Sequence, residues 1–181
     1  MFKELNTLKL FFEEPTREFN VREVARILKI APATASKDLK ELAKKGFLIE
    51  RGERNLILYK ASLENENYRD LKIYYNIRKI KDSGLIDALN KVYLKPTIAL
   101  FGSAITGMDT ETSDFDVLII SEKTAGFEKE KFEKKLNRKL QLFIIRDIRA
   151  IKNEHLINNI LNGITLQGTI KWIKTSALRE D

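Results

Sequence analysis

The sequence predicts an α+β chain, with a basic helical module closed by a hairpin at the N-terminus and a mixed sheet flanked by helices after it. Three observations carry that expectation. Apolar residues recur at helical spacing through the first 45 positions, and strand-length apolar runs alternate with helical segments from Thr97 onward. Charge is also unevenly divided: residues 1–62 carry a balance of +4, whereas residues 109–116 hold four acids and no base.

Taken in order, the spacing predicts helices over Phe2–Glu13, Val21–Leu28 and 32–45, then a hairpin pairing 47–50 with 56–59 across 51–55. Asn20 followed by Glu23 forms a capping pair, and Val21, Val24, Ala25 and Leu28 give the second helix one apolar face. Pro32 can open the third helix because the first helical position has no intrahelical N–H to lose, Ala35, Leu39 and Leu42 form its buried stripe, and Gly46 ends it. An amphipathic stretch over 68–93 is interrupted near Ser83-Gly84. Beyond it come a strand (Thr97–Phe101), a glycine-containing loop and a strand (Phe115–Ile120), then a helix (127–137) and a strand (Leu140–Ile145). A helix (146–162) and a short strand (Ile164–Gln167) close the pattern. The expected organisation is a domain over 1–62, a helical connector over 63–83 and a second domain over 84–181.

Composition narrows the chemistry. The 181 residues, 43% hydrophobic, can fill one medium core or two small ones. The longest apolar runs fall well short of the ~18 residues that cross a bilayer, and the start Met1-Phe2-Lys3-Glu4 has no signal-peptide pattern, so a cytoplasmic protein without membrane contact is expected. Absence of cysteine excludes disulfides, thiol nucleophiles and thiolate zinc sites, and the single His155 excludes sites needing two imidazoles. A net charge of +7, from 33 Lys and Arg against 26 Asp and Glu, points to a polyanionic partner.

The third helix turns Thr34, Ser36, Lys37, Lys40 and Lys44 away from its apolar stripe, hydroxyls and ammonium groups suited to base edges and phosphates in a major groove. The hairpin adds Arg51 and Arg54. On these residues the first 62 positions resemble the winged helix-turn-helix domains of ArsR-like and MarR-like regulators. That resemblance implies a recognition helix over 32–45, a wing over 51–55, double-stranded DNA as partner and a role in transcription regulation. One departure is Ala31, where the family usually places a capping Ser. A scaffold or protein-docking use of the same fold is the plainer alternative.

The second module holds the informative segment. A buried strand delivers the chain to Gly102-Ser103, and another carries Asp114 and Asp116, which alternate with Phe115 and Val117 and so share a face. Two adjacent carboxylates repel unless a cation joins them, and a pair of divalent ions ~3.5–4 Å apart is how phosphoryl-transfer sites clamp oxygens. Gly102 lets a phosphate approach the backbone, and Ser103 offers it a hydroxyl and free N–H groups. A Walker loop is excluded, since Gly102 to Gly107 is followed by Met108 and Asp109 rather than Lys and Ser/Thr. Gly102-Ser103 followed by Ser113-Asp114-Phe115-Asp116 resembles the minimal nucleotidyltransferases of the DNA polymerase β superfamily over about residues 84–170. The resemblance implies Mg²⁺ (or Mn²⁺) held by catalytic Asp114 and Asp116, and an NTP, such as ATP, bound through Gly102, Ser103 and Ser113. It also implies transfer of a nucleoside monophosphate to a hydroxyl acceptor.

The family's third acid sits on the next core strand, where this sequence has Gln141; an amide ligates weakly and takes no proton. With two of three expected carboxylates present, two readings stay open: an active transferase, or a transcription regulator whose nucleotidyltransferase-like domain is an inactive nucleotide sensor or partner-docking module. Asp109, Glu111 and Asp147 are candidate substitutes for the third acid. The resemblance raises one specific version, a toxin–antitoxin pairing in which the chain modifies or neutralises a toxin-like protein. Paired DNA half-sites lead to the expectation of a homodimer, assembled partly by stripes made of Tyr68, Leu71, Ile73, Tyr75, Ile77 and Ile80. His155 reads as a surface or packing residue, Trp172 as cover for an open core edge, and 129–135 as a solvated helix face.

Overall fold

The computed structural model of the protein describes residues 2–171. The chain divides into two compact units: the first runs through Tyr75 and includes the loop Thr106–Ser113, and the second takes Asn76–Ile105 and residues from Asp114 on. The α+β expectation holds: the described residues contain helices and two separate sheets.

In the first unit, α1 (Phe2–Glu13), β1 (Phe19–Asn20), α2 (Val21–Leu28), α3 (Pro32–Lys44), β2 (Leu48–Glu53) and β3 (Leu56–Ala61) follow one another, and the strands form an antiparallel sheet in the order β1-β3-β2. The Asn20 side chain accepts from Glu23 N at 3.0 Å and starts α2. No side chain caps α3 at Ala31, and Pro32 occupies its first turn. Ala35, Leu39 and Leu42 are buried with Phe11, Phe12, Phe19, Val24 and Tyr59, so the helical stripe read from spacing is the core. Gly46 takes φ +76°, and Phe47 N returns to Leu42 O, which ends the helix. The hairpin is longer than its apolar runs suggested. Both strands continue to Glu53 and Leu56, and a two-residue turn, Arg54-Asn55, puts Arg54 at φ +52°.

Helix α4 (Glu66–Asp82) ends where Ser83 Oγ donates to Ile80 O and accepts from Leu85 N, and α5 (Leu85–Tyr93) follows Gly84 at φ +81°. The fully buried positions of α4 are Tyr68, Lys72, Asn76 and Ile80, at a strict spacing of four. Tyr68 and Ile80 belong to the cores of the first and second unit respectively, so both are committed within the chain rather than left for a second copy.

The second sheet runs β6-β5-β4-β7, made of β4 (Thr97–Phe101), β5 (Phe115–Ile120), β6 (Leu140–Ile145) and β7 (Ile164–Gln167). β5 is antiparallel to β4 and parallel to β6. Apolar residues fill both faces: Val117 and Ile119 join one cluster, Ala99, Phe101 and Leu118 the other. Two helices differ from expectation. α6 covers only Glu130–Leu136, because Phe127 packs against Tyr93 and lies stacked on Phe132 at 5.6 Å. The stretch 146–162 breaks into a 3-10 turn (Ile148–Ala150) and α7 (Glu154–Leu161), capped separately by Asp147 and Asn153. The face 129–135 is exposed at Glu130, Lys131, Lys134 and Lys135 as expected, and within it Lys129 and Lys135 also donate to the carbonyls of Leu140 and Ser83. Trp172 lies outside the described residues. No helix among the described residues is long and apolar enough to cross a membrane.

Candidate functional site

β4 ends at Phe101, whose register partner on β5 is Asp116, so the chain enters Gly102 beside that carboxylate. Gly102 has φ +76°, and a Cβ placed there would lie 2.3 Å from Asp116 Oδ2. Only glycine fits. Residues Gly102–Ile105 then form a 3-10 turn that carries Ser103, with Ala104 buried beneath it. The buried Asn76 amide donates to Ala104 O at 3.0 Å and fixes that turn from below. In the sequence Asn76 lies within the amphipathic stretch, and its one signal is the spacing of four from Lys72 and Ile80.

Asp116 is half-buried. Its carboxyl is held above the ordinary value of 3.8, first by burial and then by the Asp114 carboxylate. A cation between the two acids removes both penalties, which is the physical case for a hard divalent ion there. The pair alone is short of ligands. Among the described residues, no group of three or more His, Asp or Glu side chains is placed to hold a metal.

The register explains why. On the parallel strand β6, Asp116 pairs with Gln141, so the position beside the carboxylates and on their face of the sheet holds an exposed amide. Each substitute acid is engaged elsewhere. Asp109 is buried with Lys72, whose Nζ stands 3.3 Å from Asp109 Oδ1 and also donates to the Asp109 carbonyl. Glu111 accepts from Thr16 Oγ1, and Asp147 pairs with Arg149. Ser113 closes a turn, its Oγ accepting from Thr110 N at 2.9 Å. His155 is exposed on α7.

In the first unit, Thr34, Lys37, Lys40 and Lys44 are exposed on α3, and Ser36 is half-buried. Arg54 stands at the hairpin tip, whereas Arg51 is forked onto Glu18 (Nε 3.1 Å, Nη2 2.7 Å) and also reaches Glu53. A phosphate at Arg51 would have to displace two carboxylates.

Residues 82–164 match the family model of the nucleotidyltransferase domain. The C-terminal part of the chain therefore carries a nucleotidyltransferase domain, and Gly102, Ser103, Asp114, Asp116 and Gln141 all fall within it. A solved structure described as a possible transcriptional regulator from Methanosarcina mazei Go1 is 24% identical, over 50% of this chain and 74% of its own, with a TM-score of 0.35. None of the curated proteins matches the sequence.

Proposed function

We propose that this chain is a DNA-binding regulator whose nucleotidyltransferase domain binds a metal-bound nucleoside triphosphate and senses it, with transfer slow or absent. The observation that carries the reading is the pairing of Gln141 with Asp116 on adjacent strands. Asp114 and Asp116 would hold Mg²⁺ or Mn²⁺, and Gly102, where only glycine leaves room for the Asp116 carboxylate, and Ser103 would receive the triphosphate. Ser113 stabilises the turn leading into Asp114. The ion supplies neutralising charge for the triphosphate. Gln141 leaves the acceptor hydroxyl without a base, a loss of ~10²–10⁴ in rate.

A second reading keeps transfer. The close fit of Gly102 to Asp116 favours it, with a hydroxyl on a toxin-like partner protein as acceptor. For DNA, support comes from the exposed Lys37, Lys40, Lys44 and Thr34 on α3, whose stripe is buried against α1 and α2, and from Arg54 on the hairpin. The arrangement suits a winged helix laying α3 in a major groove of double-stranded DNA. The reading includes a homodimer on paired half-sites, for which Tyr74 is the exposed apolar side chain of α4. Titration calorimetry tests the nucleotide site: Mg-ATP should bind the wild type, and Asp114→Ala should weaken it at least tenfold. Equal affinity in the two proteins would refute the assignment.

A further inference from the structure

The nucleotidyltransferase sheet has a second opening, at the end remote from the carboxylates. Thr97 pairs with Ile120 there as Phe101 pairs with Asp116 at the other end, a separation of about 14 Å along the strands. Three chain segments meet around a groove of about 440 Å³: the exit of α5 into β4, the end of β5, and the end of β6. Its lining includes Lys95, Lys123 and Arg146 against one acid, Glu122. All three cations are exposed, and among the described residues none takes part in an ion pair.

The walls are fixed before any ligand arrives. Buried Ser121 donates from Oγ to Tyr93 O and accepts from Lys123 N at 3.0 Å, while Ser121 N donates to Ile145 O at 2.9 Å. The Tyr93 hydroxyl donates to Ala125 O at 2.6 Å and holds the loop that carries Lys123. The backbone at the rim is strained. Leu94 and Lys95 both take left-handed conformations, φ +57° and +60°, where L side chains are disfavoured, and Lys95 also precedes Pro96, whose ring favours an extended neighbour. Strain of this kind persists where the surroundings over-determine it, and it clusters at ligand sites. Leu94 stands 76% exposed beside this groove.

We propose that this groove is a second anion site that binds a small phosphorylated ligand of nucleotide size without a metal. Lys95, Lys123 and Arg146 neutralise the phosphates, and Leu94 with Pro96 gives the organic part an apolar wall. The proposal does not depend on the carboxylate site, since no acid pair and no metal enters it.

Amide NMR of the full chain in EDTA separates the two. Titration with ATP should shift the resonances of Lys95, Thr97, Glu122, Lys123 and Arg146 in both the wild type and Asp114→Ala. A tripolyphosphate arm distinguishes bare polyphosphate, which would shift the same amides equally, from a nucleotide, which would also move Leu94. Replacing two exposed cations together, Lys123→Ala with Arg146→Ala, should weaken the response at least tenfold and leave the rest of the spectrum unchanged. The proposal is overturned if these amides stay still at millimolar ligand, or if the double variant responds as the wild type does.

Discussion

Gly102 is the residue on which the proposed nucleotide site turns, because two independent constraints meet there. Its φ of +76° disfavours any side chain, and an added Cβ would strike Asp116 Oδ2 at 2.3 Å. Gly102→Ala should therefore destabilise the protein by about 1–3 kcal/mol in urea, and calorimetry should find Mg-ATP binding lost. Asp116 adds a pH signature. Its folded carboxyl titrates above its ordinary 3.8, so the folded state holds that proton more tightly than the unfolded chain does. Metal-free protein should lose stability as pH rises from 3.8 through the raised folded value. Divalent ion should restore it, and the stabilisation by Mg²⁺ in thermal melts should grow across the same window. A metal effect that does not change with pH would contradict this.

At the scale of elements, α4 carries the largest departure from its sequence pattern. Lys72 and Asp109 are 0% and 1% exposed, and their pair holds the loop Thr106–Ser113 within the first unit. Breaking such a pair leaves a buried charge alone, so Lys72→Met should cost about 3–5 kcal/mol in urea, while Lys72→Met with Asp109→Leu should recover much of it. Additive losses in the double variant would rule out the coupling. Elements with a local cause could be read from the sequence: Asn20 caps α2, with the Glu23 carboxylate turned to Arg17 instead, Gly46 stops α3, and the apolar runs of β4 and β5 are buried on both faces of one sheet. Elements decided by distant partners could not. Phe127 leaves its expected helix for Tyr93, and two capping residues inside 146–162 divide what apolar spacing joined. The burial of Lys72 and Asn76 answers to Asp109 and Ala104, 37 and 28 positions away. For the site, the Gly-Ser and Asp-x-Asp pattern was legible because its residues are near in sequence; Gln141 was placed on the next core strand through the family resemblance, and its register with Asp116 came from the sheet. The engagement of Asp109, Glu111 and Asp147 was not.

For the whole molecule, the proposal joins a basic DNA-binding unit to a nucleotide-binding one, and each half has its own measurement. Duplex DNA selected for binding should be held with a steep salt dependence, and each phosphate contact removed should lower the log-log slope by about 0.9. Replacing Lys37, Lys40 and Arg54 by Ala should weaken binding and flatten that slope, whereas Arg51→Ala should change it less, since Glu18 and Glu53 already occupy the guanidinium. Undiminished affinity of the triple variant at moderate salt would remove the DNA assignment. The most direct test of the central claim is transfer from labelled NTP with Mg²⁺ by the wild type, Gln141→Asp and Gln141→Ala, with binding followed in parallel. A third carboxylate beside Asp116 should leave nucleotide affinity similar and raise transfer above a wild type that shows little. Robust wild-type transfer, unchanged by Gln141→Ala, would contradict the account.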